Sequence, residues 1–87
     1  MNTQPRSISA IAREIYNLKH QWPQGRISIP AEAYLSPMLS LDKITDNYIE
    51  DSGYSVVAYF LSNATVWKGE DARRIKKELN DLLKSTR

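Results

Sequence analysis

Few side chains in this 87-residue chain combine a type and a spacing that could do chemistry. His20 is the only histidine, and there is no cysteine. A zinc site would therefore need carboxylates for its other ligands, whereas such sites are built mainly from Cys and His. His20 reads instead as an exposed side chain near a helix C-terminus, where the helix dipole favours positive charge. Asp46, Glu50 and Asp51 gather acid in one short stretch. Their spacing misses the alternating oxygen ligands and closing Glu of an EF-hand loop. They read as an acidic loop that caps the following helix, and the same cluster could serve as a docking patch. Ser36, Ser40, Ser52 and Ser62 carry no local signature of an activated nucleophile, and Ser52 suits a helix cap. The expectation is no catalytic residue, no metal and no cofactor, hence not an enzyme.

The remaining candidates are surfaces. Arg73, Lys76, Lys77, Lys84 and Arg87 fall within about 100° of one another on an ideal helix, opposite the middle of its apolar stripe. That position should leave all five exposed. The stripe is Ala72, Ile75, Leu79, Leu82 and Leu83, and a second arc holds Glu70, Asp71, Glu78 and Asp81 with Arg74 among them. Glu70 and Arg74 are spaced as a well-oriented i,i+4 pair. Trp22, Trp67, Tyr48, Tyr54, Tyr59 and Phe60 could stack on bases, but a domain this small needs most of its aromatics for the core. Trp67 fits a staple just before the last helix. Tyr48 and Tyr54 are amphipathic, and tyrosine is common at interfaces.

These residues need elements to hold them. The length implies one domain, 1–87, with a small core and a loose polar tail over 1–6. Composition is that of an ordinary globular chain, 41% hydrophobic and 25% charged. Without cysteine the fold rests on packing alone, or on packing shared with a second copy as a homodimer. No signal peptide and no membrane-length apolar run is evident, and cysteine-free composition suits the cytoplasm. The net charge of +2 sits wholly on residues 69–87, too little to imply nucleic acid without clustering.

Ser7 is placed to cap a helix in which Ile8, Ile11, Ala12, Ile15 and Leu18 recur at helical spacing. Trp22-Pro23-Gln24-Gly25 should end it. Pro30 suits the first turn of a second helix carrying Tyr34, Leu35, Met38, Leu41 and Ile44, which Pro37 should kink or restart. Asp46 to Gly53 reads as a connector. Val56 to Leu61 is apolar on nearly all sides, and periodicity does not separate buried helix from buried strand there. Its continuation through Ala64 favours helix. The fold class is thus all-α with about four helices. The alternative is α+β, with a short two-stranded element from residues 26–29 and 55–61.

Asp51-Ser52-Gly53, Ser55 to Ala64, Trp67 to Lys76 and the opening Ser7 to Ile15 together resemble small hypothetical proteins of bacterial plasmids, phages and integrated elements. The segment Gln24 to Pro37 departs from that pattern. The resemblance implies a mobile-element setting and no assigned activity. Orphan proteins of this size in such settings are best known for blocking host defence complexes and for regulating transcription. The expected function is therefore protein binding without catalysis, with inhibition of a host defence complex, anti-CRISPR-like or anti-restriction-like, as the specific form. The alternative is a small DNA-binding regulator using the basic face of the last helix. Against it, that helix would present Glu70 and Asp71 first to the phosphates.

Overall fold

The computed structural model describes residues 6–85. Four α-helices carry the chain: α1 (Ile8–Asn17), α2 (Ile29–Met38), α3 (Gly53–Ser62) and α4 (Glu70–Lys84). A two-stranded antiparallel hairpin, β1 (Asn47–Tyr48) and β2 (Asp51–Ser52), lies between α2 and α3. The fold is mainly helical. Residues 55–61 belong to α3, so the α+β alternative does not hold. Ile27 lies outside any strand, and the only ladder among the described residues falls inside the stretch expected to be a connector.

Local chemistry explains where each helix begins. Ser7 Oγ accepts a hydrogen bond from Ala10 N at 3.1 Å, and Ser52 Oγ accepts one from Ser55 N at 3.0 Å. Each serine satisfies an N–H that the first helical turn leaves without a partner. Pro30 occupies the first turn of α2, where its missing N–H costs nothing. Helix α1 stops at Asn17, sooner than expected, and two short 3-10 turns at Lys19–Gln21 and Pro23–Gly25 complete the reversal. Pro37 neither kinks nor restarts α2. It sits in the last turn, and the chain then tightens: Leu39, Ser40 and Leu41 donate their N–H groups to Ser36, Pro37 and Met38 three residues back. Leu41 and Ile44 are buried from a loop rather than from a helix.

Helices α2 and α3 form the most extensive pairing, with α1 against α2 and α4 against α3. The molecule measures 35 × 34 × 19 Å. Its thin dimension is about two helix diameters, so every helix keeps a solvent face. Ile11, Ile15, Val57, Phe60, Ile75 and Leu79 are buried together, as their spacing predicts, while Leu61 and Leu82 pack half-buried at the edge. Trp67 is fully buried and stacks on Trp22, ring centroids 5.3 Å apart and planes 11° from parallel. Phe60 meets Trp22 at 6.3 Å and 52°. The tail expected over residues 1–6 lies outside the described residues for 1–5, but Arg6 is anchored in ion pairs.

Gly53, the first residue of α3, is hemmed in by backbone. A Cβ there would lie 2.9 Å from the carbonyl oxygens of both Ile44 and Asp46. Gly53 N donates to that Asp46 oxygen at 2.6 Å. Alanine normally stabilises a helix relative to glycine by about 0.5–1 kcal/mol. Here the sign should reverse, because the 43–46 loop must move: Gly53→Ala should cost about 1–3 kcal/mol in denaturant unfolding. Leu79→Ala, which empties a fully buried position, should cost about 2–5 kcal/mol in the same measurement.

Candidate functional site

Two surfaces hold the candidate residues, and the fold treats them differently. On α4 part of the acidic arc and part of the basic arc are engaged by the protein itself. Arg6 forms a bidentate pair with Glu78, at 2.9 Å from Nε and 2.6 Å from Nη2, and its Nη1 lies 2.8 Å from Glu14 Oε1. Arg74 Nη2 reaches Glu14 Oε2 at 2.7 Å and Asp71 Oδ1 at 2.9 Å. Arg74 therefore pairs with Glu14 and Asp71 rather than with Glu70. Asp71 also accepts from Gln21 Nε2 at 2.9 Å, and Gln21 Oε1 accepts from the Trp67 indole Nε1 at 3.4 Å. One chain of contacts thus ties the N-terminal segment, α1, the first 3-10 turn and α4 to the aromatic core.

The electrostatics follow this geometry. The hydrogen bond from Arg74 holds the Glu14 carboxyl below the usual range, against the opposing effect of its partial burial, and Arg6 adds to the lowering. Asp71 is lowered first by its bond from Gln21 and then by Arg74. Arg6 and Arg74 are both raised, chiefly by their bonds to Glu78 and Glu14 respectively.

The basic arc is not the uniform exposed face that its spacing suggests. Lys76 is half-buried: its Nζ donates to the Trp67 carbonyl at 2.6 Å and lies 5.9 Å from the centroid of the Trp67 ring. Lys77 pairs with Asp81 at 3.0 Å, an exposed i,i+4 pair worth little to stability. Arg73 and Lys84 are exposed at opposite ends of the helix, and Arg87 lies outside the described residues. A helical wheel sees angle only. It does not see that the Trp67 carbonyl, from the preceding connector, reaches the edge of the arc.

The acidic segment makes a more defined surface. Asn47 pairs with Ser52 and Tyr48 with Asp51, leaving Ile49 and Glu50 as a two-residue hairpin loop. Asp46 secures the base. Its Oδ2 accepts from the backbone N–H groups of Asp42 at 3.1 Å and Lys43 at 3.0 Å, which hold its carboxyl below the usual range, Lys43 first. Asp46 therefore organises the loop before the hairpin, while Ser52, not an acid, caps the next helix. Glu50 and Asp51 are exposed, Tyr54 is exposed at the start of α3, and Tyr48 packs half-buried against the core.

The residue that sequence reasoning missed is Ile49. It is 83% exposed and adopts φ +55°. Two-residue hairpin loops require a positive φ at their first position and normally place Gly, Asn or Asp there. For a β-branched residue this conformation is a true outlier. The only signal in the sequence was an isolated apolar residue inside an acidic connector.

His20 is exposed, as its sequence context predicts. Among the described residues, no group of three or more His, Asp or Glu side chains is arranged to hold a metal ion. None of their helices is long and apolar enough to cross a membrane.

The lowered carboxylates fix a direction for acid stability. A carboxyl whose pKa is depressed by folding contributes stability above its unfolded pKa and loses it as pH falls through the folded value. Unfolded Asp and Glu titrate near about pH 4. The thermal midpoint should therefore hold between pH 7 and 5 and fall below about pH 4. In Glu14→Gln that fall should be shallower. An unchanged slope would show that the pairing of Glu14 does not contribute to acid stability.

Comparison with protein-family models, curated proteins and solved structures found no match to this chain.

Proposed function

We propose that this protein is a non-enzymatic binding module that docks on another protein through the hairpin around Ile49. The observation that carries this reading is the conformation of that residue. A large apolar side chain stands almost fully in solvent on backbone that disfavours it, and strain of this kind concentrates at functional positions. Glu50 and Asp51 follow it directly, and Tyr54 stands at the start of α3. An apolar anchor with acidic neighbours fits a partner pocket that is apolar at its centre and basic at its rim. In the mobile-element setting implied by the sequence resemblance, the partner is a subunit of a host defence complex, and occupying its surface inhibits it. On this reading the protein acts in the cytoplasm.

The DNA-binding alternative has less behind it. Lys77 is paired with Asp81, and α4 opens with Glu70 and Asp71.

Ile49→Gly separates function from stability. Glycine adopts the left-handed region freely, and relieving the strain is worth on the order of 1–3 kcal/mol, so the thermal midpoint should stay or rise. Capture of the partner from bacterial lysate, identified by mass spectrometry, should be lost. A variant that still captures the same protein would remove the hairpin from the interface. If only Lys77→Glu combined with Lys84→Glu abolishes capture, the surface is α4. Binding that falls linearly with log salt and recovers duplex DNA would establish the nucleic-acid alternative.

A further inference from the structure

A recess of about 250 Å³ opens where the connector after α3 meets α4. Lys68, Arg73 and Lys76 line it, and no carboxylate does. Lys68 comes from the connector, while Arg73 and Lys76 stand about one turn apart on the helix. Lys76 is not a free-swinging surface lysine. The Trp67 carbonyl and ring fix its position, and Trp67 is itself immobilised by its stack on Trp22. One ammonium proton serves that carbonyl, which leaves two donors for another acceptor. Neither Lys68 nor Arg73 takes part in the ion pairs of the described residues. Burial first, and then the nearby charge of Lys68, lower the pKa of Lys76. Like charges held together with no acid between them repel one another, and a shared anion would reverse that repulsion. The closest acids in sequence do not supply it: Asp71 is turned to Gln21 and Arg74, and Glu70 does not line the recess.

The size of the recess selects the occupant. It is smaller than the about 300–1,000 Å³ of pockets that enclose whole organic ligands. Arg and Lys together are the usual donors to phosphate. We propose that the recess binds the phosphate group of a small anion, either inorganic phosphate or a phosphomonoester, through Lys68, Arg73 and Lys76.

The test is a titration of the ¹⁵N-labelled full chain with inorganic phosphate, with sodium chloride at matched ionic strength as the control. Backbone and side-chain shifts should saturate and centre on residues 65–76. Lys76→Gln should weaken binding about tenfold or more, as loss of a charge-assisted hydrogen bond does. Because Lys76 also holds the Trp67 carbonyl, Lys68→Gln provides the independent variant: it should weaken binding several-fold with an unchanged thermal midpoint. A sugar phosphate that displaces phosphate at lower concentration would assign a phosphomonoester as the natural occupant, and failure to do so would assign the free ion. Shifts that match the chloride control, fail to saturate, or persist unaltered in Lys68→Gln would overturn the site.

Discussion

The stack of Trp67 on Trp22 is the contact on which the rest of this fold depends. It joins the reversal after α1 to the connector before α4, two segments distant in sequence and lacking regular structure of their own. In a chain this short, two buried indoles supply a large share of the available apolar area. The stack also fixes polar groups at its rim. The Trp67 indole N–H points to Gln21, whose amide reaches Asp71, and the Trp67 carbonyl holds Lys76. Trp22 Nε1, by contrast, is buried and finds no acceptor among the described residues. Packing of the ring outweighs the about 1–3 kcal/mol that a buried unsatisfied donor costs.

The network that runs outward from Gln21 shows how a weakly stabilising interaction can still specify geometry. Its arginines and carboxylates are partly exposed, so each pair contributes little. Glu14, however, is shared between Arg6 and Arg74, and Arg6 closes on Glu78 with two parallel bonds. Once one side chain is fixed, the next pair costs less conformational entropy to form. The network therefore sets the register of α1 against α4 and engages Asp71 and Glu78, two of the four acids of the arc. Charge that looks available in the sequence is available only where the fold leaves it unpaired, which on this helix means its two ends.

What was legible in the sequence was local. Ser7, Ser52 and Pro30 act within one turn of their own positions, and the stripe of Ala72, Ile75 and Leu79 follows from a period that depends on neighbours alone. The Arg6–Glu78 and Arg74–Glu14 pairs were not legible, because they join residues far apart whose proximity is a result of folding. The chemistry of Pro37 is legible in the sequence, and its consequence is not. Its effect on a helix depends on where the helix ends, and the loop that buries Leu41 and Ile44 ends it one residue later. The apolar run of α3 was ambiguous for a related reason. Its solvent face carries Tyr54 and Tyr59 rather than charged side chains, so no strongly polar face marks its period.

The hairpin is where local preference and final structure disagree most, and its surroundings explain how the disagreement persists. Its base is clamped on both sides. The Asp46 carboxylate holds the preceding loop, the Asp46 carbonyl receives Gly53 N–H, and Ser52 caps α3 immediately after β2. The close approach of Gly53 to the 43–46 loop leaves no room for a side chain, so the two ends of the hairpin cannot drift apart or exchange register. With the base fixed and only two residues to reverse direction, the first loop residue must adopt positive φ whatever its type. Glycine or asparagine would satisfy that requirement without strain, and isoleucine satisfies it at a cost. Its side chain gains little burial in the protein alone, so the cost is offset by the clamped base and the rest of the fold. An apolar side chain held in solvent at such a cost is the reason the proposed docking surface is the hairpin tip rather than the charged helix.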